Sequence, residues 1–286
     1  MPASPLPEFS TTPSLRRLGF TEEGIRSLHR TGALVRVRHG VYARPDARAQ
    51  PTRAVRLGGA LTSFSAVQEW GAWCPPDDER LHVAVAAHAR ALRDPDSGGP
   101  LVPRSDVVVH WKNATASATG APGAPRAPRG IVAFPRALRH LPTDLDPAFA
   151  VATLDSAVRK GLCTTWELST EFETAPRLAK ALRHLDARAE SGTESVARER
   201  LRSAGIEAAL QVKIGVHRVD LLISGRLVVE LDSKEFHDTE STFEKDRRRD
   251  AELTRRGYRV LRFSYAQVLY DWPACLAAIR AALCAR

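Results

Sequence analysis

The chain has 286 residues, 43% of them hydrophobic and 26% charged, with 42 Lys and Arg against 33 Asp and Glu for a formal charge of +9. That hydrophobic share is enough for more than one core and excludes a largely disordered chain, while the positive excess favours a polyanionic partner, nucleic acid ahead of a membrane surface. The N-terminus "MPASPLPEFSTTPSLRR" lacks a secretion signal's apolar region, no run reaches membrane-span length, and the four cysteines form no CxxC pair, so a cytoplasmic protein with no membrane association and reduced thiols is expected.

Residues 1–50 form a small basic segment. "TEEGIRSLHRTG" reads as a helix with Thr21 as N-cap, Ile25 and Leu28 on one face and Gly32 at its end. "ALVRVRHGVYA" alternates apolar and basic residues about His39-Gly40, as a hairpin does. With the short helix before them, these elements follow the order of a winged helix-turn-helix. Arg26, Arg30, Arg36, Arg38 and Arg44 would then supply phosphate contacts.

Residues 51–190 read as a connecting α+β segment. It holds a helix ("AVRLGGALTSFSAVQEWGAW"), strands ("LHVAVAA", "DVVVHW", "GIVAFP") and a further helix in "DPAFAVATLDSAVRKGL". His82, His88 and His110 stand apart in sequence and are expected to be structural.

Residues 191–286 give the order helix (193–204), strand (212–223), strand (226–232), helix (240–256), strand (258–263), helix (273–284). A helix joining two strands implies a crossover, hence an α/β fold in which helices flank a mixed sheet. Side chains two apart on a strand share a face. In "RLVVELDSK", Leu227, Val229 and Leu231 face one way, while Val228, Glu230, Asp232 and Lys234 face the other. In "HRVDLLI", Val219, Leu221 and Ile223 leave Asp220 on the opposite face, within reach of Glu230 or Asp232. Carboxylates so gathered repel each other, and a divalent cation, Mg²⁺ or Mn²⁺, is the economical partner, since two carboxylates suffice to hold Mg²⁺. Lys234 would stabilise charge developing on a phosphate, and His237 would position water or contact that phosphate. Which of Glu230 and Asp232 is the main ligand stays open. In "TFEKDRRRDAELTRRG", Asp246 or Asp250 is expected to pair with an arginine such as Arg262, leaving Arg247, Arg248, Arg249, Arg255 and Arg256 to face solvent or DNA.

Asp220 followed by Asp232-Ser233-Lys234, or by Glu230-Leu231-Asp232, resembles the PD-(D/E)XK nuclease motif. More closely, "VDLLI…RLVVELDSKEFH…FEKDRRRDAELTRRGYRVLRFSYAQV" is similar to an uncharacterised bacterial family (domain of unknown function 559) related to the very-short-patch-repair endonucleases. The resemblance spans residues 191–283 and implies a restriction-endonuclease-like fold with metal-dependent endonuclease activity on DNA. It matches Glu194, Asp220, Glu230, Asp232 and His237, with Ser233 where the family has glycine. Glu194 has a second role open to it, because "SGTE" is also a capping box in which Ser191 caps the helix. In the first segment, "LVRVRHGVYA" resembles the winged helix of AbiEi-type antitoxins of type IV toxin–antitoxin systems, which implies a regulatory alternative: a DNA-binding or antitoxin-like protein with a degenerate nuclease fold and a toxin partner. An RNA-directed nuclease is a third reading.

Overall fold

The computed structural model describes residues 6–76, 78–111, 130–232 and 249–285. The chain divides into two compact units, one of residues 1–71 and 75–142, the other of 72–74 and 143–286. The connecting segment 51–190 is therefore split between them. Its last part belongs with the C-terminal unit because Ala148 and Ala152 bury into the same core as Val196 and Leu201.

The first unit opens with β1 (Phe9–Thr11), α1 (Thr12–Arg17), α2 (Glu22–Arg30), β2 (Val35–Arg38) and β3 (Val41–Ala43), with the strands in the order β1-β3-β2. Thr21 caps α2 by accepting from the Gly24 N–H at 3.1 Å. Leu15, Ile25 and Leu34 close a small core beneath the helices. His39 and Gly40 turn the hairpin, with Gly40 at φ +68°.

The single helix expected over 54–73 is two helices, α3 (Ala49–Leu57) and α4 (Ser63–Glu69), separated by β4 (Ala60–Leu61). Two glycines break it. Gly58 ends α3 at φ +118°, a left-handed conformation that favours glycine. Gly59 runs so close to the next strand that a Cβ would overlap the Ala84 carbonyl oxygen. β5 (Leu81–Ala84) pairs antiparallel with β4 and parallel with β6 (Val107–His110). "GIVAFP" contributes only an isolated bridge from Ile131 to Leu61 before the short α5 (Phe134–Ala137).

Two of the three histidines read as isolated are in contact. His82 Nδ1 lies 3.0 Å from His110 Nε2, and the His110 ring stacks on His140 at 4.8 Å. The parallel register of β5 and β6 places His82 opposite Val108 and His110 opposite Ala84, a proximity that sequence spacing does not show. Burial lowers the pKa of both, and the neighbouring imidazoles help take His110 to about 4.

The second unit contains α6 (Pro147–Arg159), α7 (Thr165–Phe172), α8 (Pro176–Leu182), α9 (Gly192–Ser203), β7 (Ala208–Ile214), β8 (His217–Ile223), β9 (Leu227–Asp232), α10 (249–255), β10 (Arg259–Ser264), α11 (Tyr265–Tyr270) and α12 (Trp272–Cys284). The strand expected over 212–223 is a hairpin that begins at Ala208 and turns at Gly215, φ +62°. The sheet runs β10-β9-β8-β7, with β10 parallel to β9 and the other pairs antiparallel. It is the mixed sheet expected of an α/β fold. One face buries Leu227, Val229 and Leu231 against α6, α9, α11 and α12. On the other, Val228 packs with Leu253 of α10.

Gly59→Ala is expected to lower the stability of the first unit by about 1–3 kcal/mol, because the strand must move away from Ala84. Urea unfolding followed by circular dichroism measures it, and an unchanged midpoint would contradict the close approach.

Candidate active site

Helix α9 is held in place by charge pairs. Arg198 Nη2 donates to Asp155 Oδ2 of α6 at 2.9 Å, and Asp155 is 1% exposed. Arg200 donates to Asp146, the N-cap of α6, at 2.6 Å, and its guanidinium lies 5.3 Å from the Phe149 ring centroid. Gly192 lies under the Trp73 indole, where a Cβ would overlap the ring. Ser191 caps α9 by accepting from the Glu194 N–H at 3.2 Å, as the capping-box spacing implied. The Glu194 side chain does not close the box on residue 191. Its Oε2 accepts from the Glu190 N–H at 2.9 Å and from Gln211 Nε2 at 2.7 Å.

Gln211 explains how the site is opened. In the β7–β8 ladder Leu210 pairs with Leu221 and Val212 with Val219, while Gln211 and Asp220 between them are unpaired. Gln211 sits at φ +54°, a left-handed conformation that costs a non-glycine residue about 1–3 kcal/mol. Both strands change face at this level. Leu210, Leu221 and Ile223 enter the large core, whereas Ile214 and Val219 pack with Val228 and Leu253. The expectation that Val219 shares a face with Leu221 and Ile223 is corrected by this slip.

The other side of Asp220 opens too. β8 and β9 pair from Ile223–Leu227 to Leu221–Val229 and then stop, although the same register would set Asp220 opposite Glu230. Beyond that point the Leu231 N–H donates to Asp220 Oδ2 at 2.9 Å. A carboxylate oxygen has taken the place of a strand carbonyl.

Glu230, 5% exposed, faces this gap. Burial first, and the Asp220 charge second, push its pKa up to about 7. Burial also raises Asp220, opposed by the Leu231 N–H. Each acts on the other, with Asp220 raising Glu230 and Glu230 lowering Asp220, so a proton is favoured on Glu230. Glu194 is raised by burial, and the Asp220 charge adds to the effect.

Cations come from distant sequence. Arg249 on α10 donates through Nη2 to Glu230 Oε1 at 2.5 Å and to the Arg218 carbonyl at 2.6 Å, and its buried Nε has no partner among the described residues. Placing Arg249 on a solvent- or DNA-facing side of the helix is thus corrected. It lies one turn before Leu253, which is fully buried, so helical spacing aims both at the sheet. Arg256 is also paired, to Glu252 at 2.8 Å. Arg262 stands beside Glu230 in the β9–β10 register and pairs with Asp250, one of the two partners expected for it, at 2.7 Å.

Asp220 and Glu230 are therefore together, and Glu194 feels the Asp220 charge. Asp232 lies at the exposed end of β9. No group of three or more His, Cys, Asp or Glu side chains is placed to hold a metal among the described residues. Lys234, His237, Arg247 and Arg248 lie outside the described residues, as does Asp246. In the first unit Arg26 lies 3.6 Å from Glu23 and Arg30 3.9 Å from it, both well exposed. Sequence reasoning missed Gln211 and the inward turn of Arg249. Helical spacing could have found the second, but no local pattern marks a left-handed glutamine inside a strand.

The restriction-endonuclease-like family model REase_MTES_1575 matches residues 193–283, so the C-terminal domain is nuclease-like. Among solved structures, the catalytic domain of the homing endonuclease I-Bth0305I is 23% identical with a TM-score of 0.28, covering 31% of this chain and 89% of that one. The RV2827C protein from Mycobacterium tuberculosis is 20% identical with a TM-score of 0.29, covering 67% and 76%. No curated protein matches the chain. None of these names carries the antitoxin resemblance of residues 1–50.

Because the Glu230 pKa is raised on folding, its protonated form stabilises the fold at low pH, and that contribution is lost as pH rises from about 4.5 through about 7. In EDTA, Glu230→Gln is expected to gain on wild type by on the order of 3 kcal/mol between pH 4.5 and 8. Denaturant unfolding at the two pH values measures this, and parallel pH profiles would show that Glu230 is not held protonated.

Proposed function

We propose that the protein is a DNA-binding, metal-dependent endonuclease that hydrolyses phosphodiester bonds with the Asp220–Glu230 pair. The observation that carries this reading is a buried carboxylate, Glu230, set beside the half-buried Asp220 where the sheet opens, both with raised pKa values. The match of residues 193–283 to a restriction-endonuclease-like family supports it.

The donor set fits Mg²⁺ or Mn²⁺. Two carboxylates suffice for such an ion, which keeps several waters, and Asp220 with Glu230 or Asp232 would hold it. When bound, the ion supplies polarisation of a phosphodiester oxygen and acidification of water. Asp220 is oriented by the Leu231 N–H, so its carboxylate is fixed before any ligand arrives. Glu194, held by the Gln211 amide and the Glu190 N–H, adds negative charge beside Asp220. Lys234 and His237 keep the roles expected of them, charge stabilisation and water or phosphate contact.

A second reading has its own observation. Arg249 already sets a cation on Glu230, which suits a DNA-binding regulator or antitoxin-like protein whose nuclease fold no longer turns over. DNA binding that persists in EDTA and in Asp232→Ala, with no cleavage by wild type, would favour it.

Incubated with supercoiled plasmid and Mg²⁺, wild type is expected to nick DNA, and Asp220→Ala and Glu230→Ala to lose at least about 100-fold in rate, the scale of a lost catalytic group. Gel electrophoresis reads the outcome. Equal nicking by wild type and Asp220→Ala rejects the catalytic reading.

A further inference from the structure

The first unit holds a cavity of about 400 Å³ whose walls include Arg36, Arg38, His39, Arg56 and Arg93, and no acidic residue lines it. Four arginines and a histidine thus line one cavity, drawn from separate parts of the chain. Arg36 and Arg38 lie on β2, His39 in its turn, Arg56 in the last turn of α3, and Arg93 in the segment after β5.

Several of these groups are positioned by the fold. The Arg38 guanidinium lies against Gly58, where any Cβ would overlap it. Arg56 Nη1 donates to the Pro95 carbonyl at 2.6 Å and to the Asp96 carbonyl at 3.3 Å. The Arg93 N–H donates to the Leu57 carbonyl at 3.1 Å, tying that segment to α3. Arg36 Nη2 and His39 Nδ1 lie 2.9 Å apart.

None of the four arginines forms an ion pair among the described residues, and the Arg38 and Arg93 side chains make no hydrogen bond among them. Other arginines of the same unit contrast with this. Arg44 pairs with Asp46, Arg48 with Glu8, Arg53 with Asp96, Arg80 with Asp78, and Arg104 with Asp94 and Asp106. The nearby acids Asp94 and Asp96 are thus engaged on Arg104 and Arg53, outside the cavity wall. Like charges gathered round one cavity repel each other, and physiological salt screens that repulsion only beyond roughly 8 Å. An anion relieves that repulsion, and the planar guanidinium fork matches phosphate oxygens two at a time.

We propose that this cavity is a phosphate site that seats one backbone phosphate of DNA, with Arg36 and Arg93 at its rim and Arg38 and Arg56 deeper in it. The assignment rests on the reading that the partner is DNA, but not on cleavage. It adds Arg56, Arg93 and His39 to the arginines of β2 and makes of them one site.

The test uses the full chain in EDTA, where metal-dependent cleavage is silent, with a fluorescein-labelled duplex followed by anisotropy across a salt series. Arg36→Gln/Arg93→Gln is expected to weaken binding about tenfold and to lower the slope of log affinity against log salt by about one. Both residues are exposed, so the fold should hold, and an unchanged melting curve checks it. Arg183→Gln/Arg280→Gln removes the same charge from exposed positions on α8's end and α12, and should keep the wild-type slope. Wild-type affinity and slope in the first variant overturn the proposal, as does an equal loss in the second. Calorimetry with inorganic pyrophosphate separates the sources of phosphate: if the first variant loses pyrophosphate but binds duplex normally, the site takes a free phosphate compound and the DNA assignment fails. A wild type that nicks nothing in Mg²⁺ yet shows the expected loss refutes the catalytic reading alone. One that nicks normally without the loss refutes this site alone.

Discussion

Two carboxylates that face each other inside a folded sheet cannot both ionise cheaply, and the C-terminal unit is organised around that constraint at Asp220 and Glu230. Burial disfavours each charge, and the Asp220 charge raises Glu230 further, so a proton is favoured on Glu230. The backbone gives way accordingly. β8 leaves both of its neighbours at Asp220, and the Leu231 N–H takes the carboxylate as its acceptor. On the outer side Gln211 adopts a left-handed conformation and aims its amide at Glu194. A bulge that only relieved crowding would not need that amide. The local strain and the third acid therefore belong to one arrangement.

Such a gap needs a stiff frame, because repulsion between acids tends to push strands apart. The frame is supplied by α6 and α9, clamped by Arg198 on Asp155 and Arg200 on Asp146. Removing one partner of the Arg198–Asp155 pair is expected to cost about 3–5 kcal/mol, because the other charge is left buried alone. Arg249 acts from the opposite face of the sheet. It offsets part of the negative charge on Glu230, yet the Glu230 pKa stays well above the ordinary carboxylate range, so one guanidinium does not neutralise the pair.

Much of this was legible in the sequence, for identifiable reasons. Period-two alternation in "RLVVELD" placed Leu227, Val229 and Leu231 in the core and Glu230 opposite them, because one buried face fixes strand register. Helical spacing narrowed the partner of an arginine such as Arg262 to Asp246 or Asp250, and Asp250 makes the pair. What stayed hidden depends on backbone irregularity or on residues distant in sequence. The face change at Gln211 and Asp220 breaks the alternation that would have shown it. Arg249 comes from a run of charges in which neighbouring arginines look alike. In the first unit, Gly58-Gly59 ended a helix whose apolar pattern continued past them, and the histidine contacts depended on the register of β5 and β6.

Asp220 and Glu230 are proposed to form one cation-holding site. Calorimetric titration of the full chain with Mn²⁺ at neutral pH tests it without reference to turnover, with Asp220→Asn/Glu230→Gln as the comparison. One Mn²⁺ site is expected in wild type, with proton release on binding, and its loss in the double variant. Equal Mn²⁺ binding by both proteins, or none by wild type, would contradict it.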